Sequence, residues 1–273
     1  MYPVLFRIGN FTFYSFGLMA ALSIILPALF VARPLIKKAR VRNDFIYEAI
    51  LGTAIGGFVG ARIWYLFENW ATVKHNFWGS LFSGTGFVWY GGLVGGVLTV
   101  MVIARLRKVN LGVLFNAAAP ALAIGYAIGR VGCQLAGDGD YGKPSTLPWA
   151  MGYPHGTVPT PPGVRVQPTP IYEILIMLVV FCVLWRMAKK DQPPWYVFGW
   201  FLVLSAVERF PIEFLCRNPI WFWHLTQPQW VAIVSFVLGV GIILVTRHKP
   251  VAQVTPPAEK PAGAGKGSSR ATA

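Results

Sequence analysis

The sequence predicts an all-α membrane protein: a bundle of seven transmembrane helices with the N-terminus outside and the C-terminus in the cytoplasm. Three observations predict it. The first is composition, with 55% apolar and only 12% charged residues in a chain of 273 and a mean hydropathy of +0.54. A soluble domain carries about 25% charged residues, so this chain cannot cover a water-exposed surface. The second is a series of seven apolar stretches, at roughly 13–33, 46–67, 86–104, 111–133, 170–188, 196–215 and 228–246, each near the ~20 residues a helix needs to cross a ~30 Å hydrocarbon core. The third is the one-sided distribution of Lys and Arg.

Between the first and second stretches lie Arg33, Lys37, Lys38, Arg40 and Arg42. Between the third and fourth lie Arg105, Arg107 and Lys108, and between the fifth and sixth Arg186, Lys189 and Lys190. After the seventh come Arg247, Lys249, Lys260, Lys266 and Arg270. The opposite side holds Arg7, Lys74, Lys143, Arg165 and Arg217. By the positive-inside rule the richer side is cytoplasmic. The net charge of +14 is thus a topology signal, and no nucleic-acid partner is expected. Three cysteines and four scattered histidines offer neither a disulfide framework nor zinc-ligand spacing, so no metal is expected.

Taken in order, the first stretch is no cleaved signal peptide, because its basic cluster follows the apolar run. The second carries Gly52, Gly56 and Gly60 before Arg62. The third carries Gly91/Gly95 and Gly92/Gly96, and the fourth Ala121, Gly125 and Gly129 before Arg130. Such ladders of small residues let helix backbones approach closely. A Gly- and Pro-rich outer loop spans about 134–169, long enough to be a lid or binding surface. Glu173 lies in the first turn of the fifth helix, and Glu208, Arg209 and Glu213 lie towards the end of the sixth. Trp64, Tyr65, Trp78, Trp89, Trp221 and Trp223 fall at outer helix ends, as an aromatic belt would. Residues 1–249 form the membrane domain, and 250–273, a Pro-, Ala-, Gly-, Ser- and Lys-rich tail, have nothing to bury and are expected to be disordered.

Charge inside a membrane is costly, at least ~2.5–3.5 kcal/mol for a central Arg. Arg62, Arg130 and Arg209 each sit in the last third of an outward-running helix, at a similar depth. They are read as unrelated arginines that snorkel to the boundary, as Arg–Glu pairs that lock helices together, or as a site for a phospholipid headgroup, since guanidinium forks suit phosphate. An enzyme cleaving a bond to that phosphate would use them to stabilise the departing charge.

These residues carry a family resemblance. Gly129-Arg130-Val131-Gly132, followed by Gly137-Asp138, resembles the GRxGNFxNGE motif of bacterial phosphatidylglycerol–prolipoprotein diacylglyceryl transferases. Phe16-Gly17-Leu18-Met19 resembles YGLM, Gly60-Ala61-Arg62 resembles GGR, and Tyr90-Gly91-Gly92-Leu93-Val94-Gly95 resembles HGGLIG. Gln167 to Glu173 resembles HPSQLYE, and Arg209, Glu213-Phe214 and Arg217 resemble RxxxEFFR. The resemblance implies transfer of the diacylglyceryl group of phosphatidylglycerol to the lipobox cysteine thiol of a preprolipoprotein, at the extracytoplasmic side of the bacterial (inner) membrane and with no cofactor. Implied catalytic residues are Arg130, Arg209, Tyr90 and Asp138. Implied substrate-binding residues are Arg62, Arg130, Arg209, Glu173 and Glu213.

The chain departs from the pattern at Tyr90, Cys133, Phe16, Ser205 and Gln167, and an insertion leaves Asp138 and Asp140 as alternatives for the motif's Glu. Cys133 is read as a small buried hydrophobe and not as a nucleophile. Two further functions stay open: an altered relative that binds phospholipid or lipidates another acceptor, and an anion transporter. The near absence of ionisable residues other than Glu48 in the cytoplasmic halves of the helices counts against the transporter.

Overall fold

The computed structural model describes residues 1–9, 11–39, 41, 44–74, 77–81 and 88–250. Residues 251–273, the expected disordered tail, lie outside the described residues. The chain opens on a short antiparallel hairpin, β1 (Val4–Ile8) and β2 (Phe11–Tyr14), and then turns helical. α1 (Ser15–Pro27) continues through a π-helical turn, Ala28–Ala32, into α2 (Arg33–Lys38). α3 (Asp44–Glu68) is followed by two short helices, α4 (Trp70–Val73) and α5 (Phe77–Leu81). α6 (Trp89–Leu106), α7 (Leu111–Ala136), α8 (Thr169–Ala188) and α9 (Tyr196–Ile212) follow. A small hairpin, β3 (Ile220–Phe222) and β4 (Leu225–Thr226), leads into α10 (Gln227–Thr246).

Among the described residues, five helical segments are long and apolar enough to cross a membrane: Ser15–Lys38, Asp44–Glu68, Leu111–Ala136, Thr169–Ala188 and Gln227–Thr246. The other two expected segments are helices as well, but shorter. α6 offers Gly91–Leu106 as a shorter apolar helix. α9 stops at Ile212, with Pro211 inside its last turn, instead of running on to residue 215. The first expected segment also differs at its start, since residues 11–14 pair as a strand before the helix begins.

α7 is the hub. Half of its apolar window is buried within the protein, against 22% or less for the other spans. It packs on α1, α8 and α9, and its alanines Ala117, Ala119, Ala121, Ala123 and Ala127 are all buried. Small side chains let three neighbours approach one helix, and each close approach gains dispersion contacts. Its start is capped by Asn110, whose side chain accepts from the backbone N–H groups of Gly112 (2.9 Å) and Val113 (3.3 Å). Its end is closed by Gly137, left-handed at φ +58°, a conformation that glycine adopts without a Cβ penalty. A Cβ there would also lie 2.7 Å from Gly156 Cα. This turn feeds the chain into the loop that carries Asp140 to Arg130.

The glycine ladders of the second and third predicted segments meet face to face as α3 and α6. A Cβ on Gly56 would stand 2.8 Å from the Gly95 carbonyl oxygen, and one on Gly60 would collide with the Gly91 carbonyl. The α7 ladder behaves differently. Gly125 lies against the Ser23 carbonyl of α1, whereas a Cβ on Gly129 would meet nothing within 4 Å.

Replacing Gly60 by Leu is expected to part α3 from α6 and to cost at least the about 1–3 kcal/mol of an overpacked contact. Thermal unfolding of detergent-solubilised protein checks this, with Gly129→Leu as the variant expected to melt close to the parent.

Candidate active site

Four elements converge at one end of the bundle, and a single carboxylate organises them. Glu173, just beyond the first turn of α8, is 1% exposed. Its Oε2 lies 2.6 Å from Arg130 Nε, and its Oε1 pairs with Arg209 Nη1. α7 and α9 are thereby joined through α8. Arg209 reaches in the other direction to Glu213 Oε2, 2.8 Å away and one turn along the chain. Glu213 is itself anchored, because its Oε1 accepts from Thr226 Oγ1 at 2.8 Å and from Asn218 Nδ2 at 2.7 Å. Thr226 is also the N-cap of α10, in a capping box with Gln229, so the start of α10 is tied to the same network.

Arg130 is held on three edges. Beyond Glu173, its Nη2 donates to the Tyr126 hydroxyl at 3.1 Å, and its guanidinium lies 5.1 Å from the centroid of that ring. Tyr126 sits one turn earlier on α7, and its hydroxyl donates onward to Glu173 Oε1 at 3.0 Å. The third edge, Nη1, pairs with Asp140 Oδ2 at 2.5 Å. Asp140 is on the loop beyond Gly137, and its carbonyl accepts from Thr169 Oγ1 at 2.7 Å, which fastens the loop to the head of α8.

A cavity of about 310 Å³ opens on this array. It is lined by Arg130, Gly139, Asp140, Tyr141, Arg209, Cys216, Arg217 and Asn218. Arg217 spans its rim, with its guanidinium 4.3 Å from the Tyr141 ring centroid and its Nη2 donating to the Gly139 carbonyl at 3.2 Å. Burial pushes the Cys216 thiol up to about 11, so this resident thiol stays protonated at neutral pH.

Of the sequence-predicted residues, Arg130, Arg209, Glu173 and Glu213 come together here. Arg62 is buried on α3, its guanidinium 5.3 Å from the Tyr65 ring centroid, and it is not among the residues lining the cavity. Tyr90 lies in the first turn of α6, but its side chain lies outside the described residues. Asp138 is half-buried, and its Oδ1 accepts from the Asp140 N–H at 3.3 Å. Burial, and then the Asp140 charge, push its carboxyl above the usual carboxylate range. Asp140, and not Asp138, pairs with Arg130 and lines the cavity. Cys133 is buried, and its thiol donates to Asp140 Oδ2 at 3.5 Å. Ser205 hydrogen-bonds its own helix, to the Phe201 carbonyl at 2.7 Å.

Cys133, Asp138 and Asp140 bring ligand atoms within 4.8 Å of one another, as a metal-binding trio would. The Arg130 guanidinium already occupies Asp140 and opposes a second cation there. Tyr126, Asn218 and Thr226 were not singled out from the sequence. A tyrosine in an apolar helix carries no polar signal of its own, although its spacing of four from Arg130 is the spacing at which helix neighbours meet.

The fold and site together define a multi-pass helical membrane protein with an arginine–carboxylate array at one end. The sequence matches the family described as prolipoprotein diacylglyceryl transferase over residues 3–245, and the chain belongs to that family. It is similar to the phosphatidylglycerol–prolipoprotein diacylglyceryl transferase of Geobacter sulfurreducens, with 31% identity over 90% of this chain and 96% of that protein. The enzymes of that name from Dehalococcoides mccartyi (29% identity, 90% and 94%) and Clostridium tetani (28%, 91% and 99%) are similar over the same extent.

Removing one partner of a buried ion pair strands the other charge, at about 3–5 kcal/mol. Glu173→Ala is expected to lower the melting temperature well below that of Glu213→Ala, whose partner Arg209 retains Glu173. Equal melting temperatures for the two variants would contradict the central position of Glu173.

Proposed function

We propose that this chain transfers the diacylglyceryl group of phosphatidylglycerol to the thiol of a lipobox cysteine in a preprolipoprotein, within the bacterial (inner) membrane. The observation that carries this reading is the pairing of Arg130 and Arg209 through one buried carboxylate at the wall of one cavity. Two guanidiniums fixed side by side offer a phosphate the donors and the charge it needs. Family membership supports the substrate class.

In this reaction the acceptor sulfur attacks the glycerol carbon that bears the phosphate. A C–S bond forms, the C–O bond breaks, and glycerol-1-phosphate leaves with the bonding electron pair. The thiol proton passes to a base, for which Asp138, Asp140 and Tyr90 are the candidates. Arg130 and Arg209 hold the phosphate and stabilise the charge that grows on it as the bond breaks. Glu173 and Tyr126 keep the guanidiniums in place, which spares reorganisation during the step. Glu213 secures Arg209, and Arg62 is assigned to the lipid at a position further along the outer boundary.

The membrane placement belongs to the same proposal. The chain crosses seven times, with the N-terminus and the loop around 134–169 outside and the tail from 250 in the cytoplasm. α6 and α9 serve as the two shorter spans. The active site then opens towards the extracytoplasmic side, where the phosphate meets the arginines while the acyl tails stay in lipid.

Reporter fusions at Pro250 and within the 134–169 loop are expected to give opposite compartment signals, and matching signals would end the seven-span arrangement. Arg130→Lys keeps the charge but loses the planar fork. It is expected to lose about 10²-fold or more in turnover, the scale of a lost oxyanion donor, with Arg130→Ala lower still. The assay is lipid transfer to a lipobox peptide in detergent, with protein level followed by blot. Near-normal turnover by well-expressed Arg130→Ala protein would remove the phosphate-binding role.

A further inference from the structure

The Arg130 guanidinium has a partner at each of its three nitrogens. Nε is committed to Glu173 at 2.6 Å, and Nη2 gives one hydrogen to Tyr126. Nη1 gives one hydrogen to Cys133 Sγ at 3.9 Å, and what remains for a ligand is its other hydrogen together with the second one of Nη2, the pair that would form a bidentate contact with a phosphate. Asp140 Oδ2 already sits on it, 2.5 Å from Nη1. The two partners differ in exposure. The Arg130 side chain is 15% exposed and that of Asp140 is 51% exposed, so the carboxylate can leave into water whereas the guanidinium cannot. The Asp140 backbone is pinned, by Thr169 Oγ1 at its carbonyl and by the Asp138 carboxyl at its N–H. The short side chain can rotate away, giving up the ion pair with Arg130 and a long contact from the Cys133 thiol at 3.5 Å. Gly139, at φ +99°, makes the turn that places it there.

We propose that Asp140 is an exchangeable anion. It holds the outer edge of Arg130 in the empty site, yields that edge to the phosphate of the incoming lipid, and returns to displace the glycerol phosphate after transfer. Asp140 thereby sets the affinity of the site for phosphate esters without forming any bond to the reacting carbon. The proposal rests on the reading of Arg130 as the phosphate seat. The exchange with the incoming lipid phosphodiester is balanced in charge, since one monoanion replaces another on the same cation. The array therefore never presents a bare guanidinium within a low-dielectric wall, where an unpaired charge is costly.

The consequence is that the resident carboxylate competes with both substrate and leaving group. Its removal is expected to tighten binding of both, and the tighter product is expected to slow turnover at saturating lipid. KM and kcat then fall together, a combination that a merely structural lesion does not produce.

The test is calorimetric titration of detergent-solubilised protein with short-chain phosphatidylglycerol and, separately, with glycerol-1-phosphate. Asp140→Asn is expected to bind both about fivefold more tightly, the scale of an ion pair with one half-exposed member, and Asp140→Ser is expected to do the same should the amide perturb folding. In an Arg130→Ala background the gain from Asp140→Asn is expected to vanish, which separates exchange at Arg130 from a general loss of negative charge. Unchanged or weaker binding by both Asp140 variants would overturn the exchange while leaving Arg130 as the phosphate seat. A fivefold gain that persists without Arg130 would overturn it too. Undiminished lipid binding by Arg130→Ala alone would remove the phosphate seat itself.

Discussion

A single buried carboxylate holds this end of the molecule together. Glu173 lies at the head of α8, almost without exposure, and receives Arg130 from α7 on one oxygen and Arg209 from α9 on the other. In a low-dielectric surround none of the three charges is tolerable alone. The guanidiniums would repel each other without the carboxylate, and the carboxylate would be stranded without them. This mutual requirement sets the spacing of three helices and explains why other elements are drawn to it. Tyr126 braces the pair from within α7, and Glu213 carries the network to the start of α10. Asp140 closes the array on the cavity side.

The arrangement separates rigid parts from a movable one. Glu173 and Tyr126 are fixed by hydrogen bonds on helices and Glu213 at the C-cap of α9, whereas Asp140 reaches Arg130 from a loop with half of its side chain in water. A site that must accept and release an anion needs both: donors that do not reorganise, and a resident partner that can leave. Two of the departures from the family pattern lie beside this frame. Cys133 turns its thiol to Asp140, and Ser205 is satisfied by its own helix, while the arginines and their acidic partners remain in place.

Much of this was legible in the sequence, for physical reasons. Ionisable residues inside apolar stretches are too costly to be incidental, so Arg130, Arg209, Glu173 and Glu213 announced themselves, and their depths placed them at one level. Glycines spaced by four announced close helix approach, and the structure shows that α3 and α6 are the partners. Other features left no mark. Tyr126 is one of many aromatics in an apolar chain, and only the side-chain geometry shows that its hydroxyl lies between a guanidinium and a carboxylate. The choice between Asp138 and Asp140 depended on the backbone turn through Gly137 and Gly139, which spacing alone does not determine. The hairpins β1–β2 and β3–β4 carry too few residues for a two-residue alternation to stand out from their aromatic surroundings. Arg62 shared the depth of the other arginines but sits against Tyr65 on α3, because similar depth on three helices does not imply a common facing.

The central claim is that one phosphate is shared by the two guanidiniums that Glu173 holds apart. An experimental structure with a phosphatidylglycerol headgroup or glycerol-1-phosphate bound tests it most directly. The account expects the phosphate oxygens within about 2.7–2.9 Å of nitrogens of both Arg130 and Arg209, with Glu173 still bridging them and Asp140 turned away from Nη1. A phosphate seated elsewhere, with Arg130 still paired to Asp140, would contradict it.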